Sequence, residues 1–479
     1  MTRRINVLLI QFLILKSAFC TQITVDLSKT IKSDLKAGAA GANLCWLLAS
    51  EKKHEPEISL QSALQKMGCG SLRFPYGALA DNYLWHSPPF ANTAKGLRPR
   101  VATMNRTPGK WNWAVNPDGS FKDAMDFDEY MDLCKKNNVK PLVVVNVLSD
   151  KFRDSLTYEE LKQSAVEWVR YAKKKDYKVA YWQIGNEVDH HSKRKFFTPE
   201  TYAARYRDIT LAMKAADPAI KTGPGLIGHL KYFWQLMSIA PEQVDFVSVH
   251  QYMFGRKDTC GTYDKWKEDT ASYIPTVEAM QRAISKSPKP NLKILITETG
   301  VTPANEDLGK INNTYKALWW FEVLMNEICI PNVSYTYFWG AHTAWYGKEE
   351  PEVDVGTLLT RKNSPKPTGH INTLVNRALL DRMVLTQRQV GNVRTYASAS
   401  ESGNRLNIFL MNKDDKPKSI KLYLKGDSEK KRKFKRIIFK GSFPEDRSPT
   451  VNNDGEIVAI NQNLAINLAP HSLTVLEQF

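Results

Sequence analysis

The sequence predicts an α/β chain: a (β/α)8 TIM barrel over residues 36–370, followed by an antiparallel β-sandwich over 371–479. Three observations carry the prediction. Eight short runs rich in β-branched and aromatic residues alternate with helical patterns, in the number and order such a barrel needs. Their bodies are apolar and their C-terminal ends turn polar, as strands do when both faces are buried and one rim opens into a site. After PKPTGH (365–370) the texture changes to short alternating runs split by turn-rich gaps.

The segment MTRRINVLLIQFLILKSAFC (1–20) comes first. Arg3 and Arg4 precede an apolar stretch from Ile5 to Leu15, and Ala18 and Cys20 are small residues where a signal peptidase reads. The stretch is too short to span a bilayer, so a secretory signal peptide and a secreted, extracellular or lumenal, mature chain are expected. QITVDLS (22–28), within 21–35, reads as a strand without a partner in the barrel and is expected to cross over and join the sandwich.

The barrel strands follow: GAAGANLCWLL (38–48), SLRFPYG (71–77), PLVVVNV (141–147), VAYWQIGNE (179–187), KTGPG (221–225), DFVSVHQY (245–252), KILITETG (293–300) and VSYTYFWG (333–340). Between the third and fourth, YEELKQSAVEWVRYAKKK sets Leu161, Ala165, Trp168, Val169 and Ala172 on one helical face. An insertion after the second strand holds Trp85, Trp111 and Trp113, which either build subsites or pack the loop down. A doubly wound sheet is set aside, because GAAGAN (38–43) lies ahead of the first apolar body instead of after it. In the last domain NVRTYASAS, RLNIFLMN, SIKLYLK, KRIIFKG, EIVAINQ and SLTVLEQF read as strands.

The formal charge is +17, and cleavage of the leader removes three cations, Arg3, Arg4 and Lys16. That balance admits an acidic polysaccharide, an anionic cell surface or nucleic acid as partner. Much of the excess sits in KGDSEKKRKFKRIIFK (425–440), which reads as a solvated hairpin with basic tips ahead of a polyanion-binding patch; it carries no groove motif or aromatic ladder, so no nucleic-acid partner is expected. Five cysteines remain after cleavage, an odd and widely spaced set that argues against a zinc site or a disulfide scaffold. His190-His191 are adjacent, do not face together and lack a third ligand at usable spacing, so no metal and no cofactor are expected. No membrane span is expected, the oligomeric state is left open, and sequons stand at Asn105, Asn312 and Asn332.

Glu187 ends the fourth barrel strand and Glu298 the seventh, so both rise to the rim where this fold places its sites. Two carboxylates across a cleft can cleave a glycosidic bond: one protonates the leaving oxygen, the other attacks the anomeric carbon or activates water. An oligo- or polysaccharide is then the expected substrate.

Gly185-Asn186-Glu187 ending strand four, a second Glu ending strand seven and a trailing β-sandwich resemble the retaining glycoside hydrolases of clan A. LRFPYGALADNYLW, YWQIGNEVD and APHSLTVLEQF look most like the α-L-arabinofuranosidase family, family 51, with families 39 and 79 as neighbours. The resemblance implies Glu187 as general acid/base and Glu298 as nucleophile, the first protonated and the second ionised, roughly 5–5.5 Å apart. It further implies Asn186 on the sugar 2-hydroxyl, Arg73 holding Glu298 ionised, Tyr252 donating to Glu298, and His250, Asn146 and Trp339 lining the sugar site. Two departures stand beside that site. Tyr76-Gly77 follows Pro75 where the family usually has two glycines, and Thr297-Glu298-Thr299 replaces the usual Asp-Glu-Trp.

The substrate implied is an α-L-arabinofuranoside of plant polysaccharide. The basic charge motivates an alternative, a β-glycosidase or endo-glycanase on an acidic or sulfated polysaccharide. A non-catalytic carbohydrate-binding protein is the rival of another class.

Overall fold

The computed structural model describes residues 21–47, 49, 56–104, 109–153, 155–252, 261–301, 311–342 and 356–479. The expected signal peptide, Cys260 and the sequon at Asn105 lie outside the described residues.

Eight parallel strands form the barrel: Ala40–Asn43, Ser71–Phe74, Lys140–Val145, Tyr181–Ile184, Thr222–Pro224, Phe246–Gln251, Lys293–Thr299 and Val333–Phe338. They are called barrel strands one to eight below. Hydrogen bonding runs five-four-three-two-one-eight-seven-six around the sheet. The remaining seam is drawn together where Asp245 N donates to Thr222 O at 2.8 Å and His250 N to Ile227 O at 2.9 Å.

Side-chain parity divides the strands in two. Leu142, Val144, Phe246, Leu295, Tyr335 and Tyr337 pack against one another inside the barrel. Their alternate neighbours, among them Val143, Trp182, Val247, Ile294 and Ile296, face the helices and form the large outer core. Helix Tyr158–Lys174 buries Leu161, Ala165, Trp168, Val169 and Ala172, the face its spacing predicts, and a Thr157/Glu160 capping box starts it.

The expected boundary at 370 falls inside a helix, Pro367–Ala378. Pro367 takes the first turn, where its missing N–H costs nothing, and Ile371, Leu374, Val375 and Ala378 bury a stripe at helical spacing. The alternating strands begin only at Arg382.

The second domain is a ten-stranded sheet bent back on itself, since Arg382–Thr386 also pairs with Val393–Ala399. Strand Thr21–Lys32 joins it, antiparallel to Arg382–Thr386 and parallel to Lys418–Lys425. The basic run is an interior strand instead of a hairpin: Lys431–Lys440 pairs on both sides, and exposed Lys431, Lys433 and Lys435 alternate with buried Arg432 and Phe434. Arg432 is buried because Asp427 receives its guanidinium at 2.8 Å.

Cys69, Cys134 and Cys329 are buried free thiols, and Cys45 is buried. The sequon Asn312 is buried, its amide donating to Thr357 O at 3.1 Å and Thr368 Oγ1 at 2.8 Å, which leaves no room for a glycan in the folded chain.

Candidate active site

Inward parity brings Asn43 from strand one, Arg73 from strand two, Gln183 from strand four and His250 from strand six to one end of the barrel. Arg73 is the hub. It is fully buried, and a buried guanidinium must spend its donors. Nη1 donates to Glu298 Oε1 at 2.9 Å and to Asn43 Oδ1 at 2.7 Å; Nη2 donates to Asn186 Oδ1 at 2.6 Å and Nε to Gln183 Oε1 at 3.1 Å. One cation thus fixes residues from three other strands.

Strand four ends at Ile184, and a turn through Gly185 brings both Asn186 and Glu187 to the mouth. Gly185 sits at φ 81°, and a Cβ there would stand 2.6 Å from Val147. Glu187 itself takes φ 46°, a costly conformation for a side-chain-bearing residue. The turn is held from several sides. Lys193 Nζ, buried, donates to Asn186 O at 2.5 Å and to Asp81 Oδ2 at 2.6 Å, and Tyr202 Oη donates to Ile184 O at 2.7 Å.

Strand seven reaches the mouth differently. Leu295 faces the barrel interior, so strict alternation would turn Thr297 inward and send Glu298 out with Ile296. A register shift intervenes: Ile296 pairs with Val249, but Glu298, not Thr297, pairs with His250. The extra residue, Thr297, is a β-bulge, and it swings Glu298 to the inward face beside His250. Asn43 Nδ2 pins the bulge by donating to Thr297 O and Phe338 O, both at 3.0 Å.

The two carboxylates meet at His250. Its Nδ1 shares a hydrogen bond with Glu187 Oε1 at 2.9 Å and lies 3.4 Å from Glu298 Oε2; the three donor atoms fall within 4.8 Å of one another. Such a triad is compact enough for a metal ion, but the permanent charge of Arg73, 2.9 Å from Glu298, opposes a second cation there. Tyr252 Oη donates to Glu298 Oε2 at 3.2 Å. Burial, then the charges of Glu298 and Glu187, push Tyr252 far up, so it stays a phenol and a donor.

The protonation order differs from the expected one. Burial works to raise Glu187, but the hydrogen bond and charge of His250, with Lys193 and His190 behind them, hold it down at about 2. Burial pushes Glu298 above its ordinary value against the pull of His250 and Arg73. The causes are the burial of Glu298 and the His250–Glu187 hydrogen bond, and the latter joins two different strands and leaves no mark on the sequence of either.

The remaining expected residues divide. Asn186 spends its oxygen on Arg73, and its buried Nδ2 has no hydrogen-bond partner among the described residues, a donor left over for a ligand. Trp339 is half-buried beside the site, its ring 4.5 Å from that of Tyr76 and 6.2 Å from that of Tyr252. Asn146 is used differently from the sugar contact expected of it. Its amide donates to Asp81 O at 2.8 Å and accepts from Leu148 N and Ser149 N, so it ties two loops together. Trp85 and Trp111 are buried, Trp85 stacked near Trp168 and Trp111 edge-on to Trp46, so they pack the insertion down.

Sequence reasoning passed over Asn43, Gln183, Asp81 and Lys193, each conspicuous only once its partner is placed. It quoted Tyr76-Gly77 without a role. A Cβ on Gly77 would lie 2.3 Å from Glu298 Oε1, so the chain passes too close to the carboxylate for any larger residue. Tyr76 holds φ 100°, a conformation glycine adopts freely, and its ring fills the space beside Trp339.

Residues 63–272 match the family described as the α-L-arabinofuranosidase 1 domain. The intracellular exo-α-(1→5)-L-arabinofuranosidase of Acetivibrio thermocellus is 21% identical over 221 residues, 43% of this chain and 41% of that one. Its counterpart from Bifidobacterium longum is 24% identical over 205 residues, 40% and 34% of the two chains. The chain thus spans less than half the length of these curated relatives. A solved arabinofuranosidase structure superposes over 96% of this chain and 100% of that one, with a TM-score of 0.70 at 16% identity. The Thermotoga maritima α-L-arabinofuranosidase in complex with arabinose does so over the same shares, with a TM-score of 0.68 at 16% identity. This chain resembles the clan A glycoside hydrolases of family 51. The solved structures extend that likeness, as a fold, over nearly the whole chain, barrel and sandwich together. The family's two departures here are now physical: Tyr76 takes a glycine's conformation, and Thr299 turns away from the mouth to donate to buried Glu327 at 2.6 Å.

Proposed function

We propose that the protein is a secreted, cofactor-independent retaining glycoside hydrolase, α-L-arabinofuranosidase-like and acting on plant polysaccharide. One observation carries the reading: an oxygen of Glu187 and an oxygen of Glu298 lie within 4.8 Å. A retaining pair stands roughly 5–5.5 Å apart, whereas an inverting pair needs roughly 6.5–9.5 Å to admit water between. In the first step Glu298 attacks the anomeric carbon and the glycosidic oxygen leaves with a proton from Glu187. In the second, water deprotonated by Glu187 attacks the same carbon and releases Glu298.

Arg73 and Tyr252 donate to Glu298 and offset its charge before attack and again on its release from the ester, and the spare Nδ2 of Asn186 suits a sugar hydroxyl. Glu187 must carry the proton when the bond breaks. His250 Nδ1, 2.9 Å away, shares it, and a sugar seated against Glu187 adds to the burial that already pushes this carboxyl up. The export reading rests on residues 1–20; the relatives named above are called intracellular, so the leader sets this chain apart from them. No helix among the described residues is long and apolar enough to cross a membrane.

The test is product release from aryl glycosides and polysaccharides, spanning arabinoxylan, β-glucan and uronic or sulfated chains, run beside Glu298→Gln. Arabinose release that disappears in the variant supports the proposal. Release of a different sugar redirects the substrate, and no release, or release that survives the substitution, sinks the glycosidase reading.

A further inference from the structure

At the end of the barrel remote from Glu187 and Glu298 lies a cavity of about 540 Å³, a size typical of small-molecule sites. Its floor is the inside of the barrel, where Tyr181 and Tyr335 face each other with ring centroids 6.4 Å apart. Its walls carry five lysines from four segments, Lys36, Lys140, Lys173 with Lys178, and Lys221, against two lining carboxylates, Asp176 and Asp217.

These lysines are not equivalent. Lys36 sits 2.6 Å from Asp34, Lys178 pairs with Asp176, and Lys173 stands 3.9 Å from Asp217. Lys173 lies in the last turn of a helix, where the dipole favours a cation. Neither explanation reaches Lys140 and Lys221. Both are exposed: Lys140 opens strand three and Lys221 immediately precedes strand five, and neither forms an ion pair with a described residue.

Parity places the two together. Leu142 and Val144 point inward, so Lys140 does too; a Cβ on Gly223 would strike the inward Phe246, so Lys221 shares that face. Leu142 is the register partner of Tyr181, and Thr222 that of Trp182, so Lys140 and Lys221 flank Tyr181 on the two neighbouring strands. With strands about 4.8 Å apart, two uncompensated ammonium groups stand on stems roughly 10 Å apart, with a phenol between them. Burial alone raises Tyr181, and burial with charge raises Tyr335; neither hydroxyl hydrogen-bonds to a described residue.

We propose that this cavity binds an acidic sugar unit, one bearing a carboxylate or a sulfate, with Lys140 and Lys221 on its anionic group and Tyr181 and Tyr335 against its ring and hydroxyls. The anion follows from the unpaired lysines. The sugar follows from phenols with free hydroxyls beside an apolar wall, and the choice of a saccharide rests on the glycosidase reading. Such a site would anchor a decorated chain on the face opposite the one where bonds are cut.

Calorimetric titration of digalacturonate at low salt tests it, with xylobiose, inorganic sulfate and a short single-stranded oligonucleotide as competitors for the interpretation. The expected result is binding of digalacturonate, at least tenfold weaker in Lys140→Gln/Lys221→Gln, unchanged in Glu298→Gln, and undetectable for xylobiose. Each single variant, checked by thermal unfolding, replaces the double if that one misfolds. Absence of digalacturonate binding, or binding indifferent to both lysines, overturns the proposal. So does equal binding of xylobiose, of sulfate alone or of the oligonucleotide. Turnover of a neutral aryl glycoside is read in the same preparation. Its absence strikes the glycosidase reading and leaves the titration to decide this site by itself.

Discussion

In barrel strand four the alternation runs from Tyr181 to Ile184 and gives way to a turn that delivers Glu187, whereas in strand seven it breaks within the strand, one residue before Glu298. Both strands deliver a glutamate to the same mouth. The first does so through a turn beyond the strand end and accepts a strained backbone at Glu187, φ 46°, held by Lys193 and Arg73. The second keeps an ordinary backbone and inserts Thr297 as a bulge, held by Asn43. The contrast teaches where precision is stored: in a turn for one carboxylate, in register for the other. Arg73 reads both, touching Asn186 on one side and Glu298 on the other.

The comparison can be broken most severely by exchanging the two residues, Thr297→Glu together with Glu298→Thr. The glutamate then sits on the bulge instead of opposite His250, so turnover should fall more than about 10⁴-fold, like loss of any nucleophile. Circular dichroism should report an intact fold, and retained turnover would mean that register does not aim the carboxylate.

Glu187→Gln is the matching change on strand four. A general acid contributes about 10²–10⁴-fold, so kcat should drop by that order on natural linkages and far less on aryl glycosides whose leaving groups need no proton. Equal losses on both would deny Glu187 the acid role.

Next in size is Asn43→Ala, which frees Thr297 O and Phe338 O and takes one acceptor from Arg73. A misplaced nucleophile costs up to about 10²-fold, and the loss should fall in kcat with KM little changed. Lys193→Met sharpens the other side. The buried Lys193–Asp81 pair is broken at a cost of about 3–5 kcal/mol, measurable by denaturant unfolding. Because Lys193 helps hold Glu187 down, the kinetic limb that reports Glu187 should move to higher pH, and Lys193→Arg should restore it. A limb that stays in place would make Lys193 merely structural.

The smallest effect concerns Glu327, buried behind strand seven and raised to about 8 by burial, with Thr299 and Thr336 donating to it at 2.6 Å. The folded chain keeps this proton longer than the unfolded one. Its contribution is therefore full below the ordinary carboxylate value of 4.5 and is lost as pH climbs from there through about 8. Glu327→Gln should flatten that decline, by about 2 °C or more in the Tm difference between pH 5 and pH 8. An unchanged slope would assign the decline elsewhere.

Much of this contrast was legible in the sequence, and unevenly. All eight barrel strands were visible, because strands buried on both faces need continuous apolar bodies. Glu187 was legible with its place at the rim, since Gly185-Asn186 before it mark the end of the apolar run and the turn. Glu298 was legible only as a residue type. Thr297-Glu298-Thr299 looks like ordinary alternation, and a bulge is defined by the partner strand, which one strand's sequence does not contain. Lys193 was hidden in DHHSKRKFF, a run that reads as a solvated face until Asp81 arrives from the insertion after strand two. Asn146 misled in the opposite direction, since an amide at a strand end looks the same whether it meets sugar or backbone. The helix across residue 370 was legible after all. Its stripe of Ile371, Leu374, Val375 and Ala378 has helical spacing, outweighed here by the Pro-Lys-Pro before it.

The strand Thr21–Lys32 gives the molecule a history as well as a shape. Val25 pairs with Thr386 and Ile23 with Leu422, so a segment made before the whole barrel finds its neighbours only after the barrel is complete. Until then it is an open edge, and chains cross-pair through open edges. The accessory sheet is therefore also a clasp, closed only once the strands after the barrel have been made. A chain cut short after the barrel would keep both carboxylates of the mouth and still expose a strand apt to find a stranger.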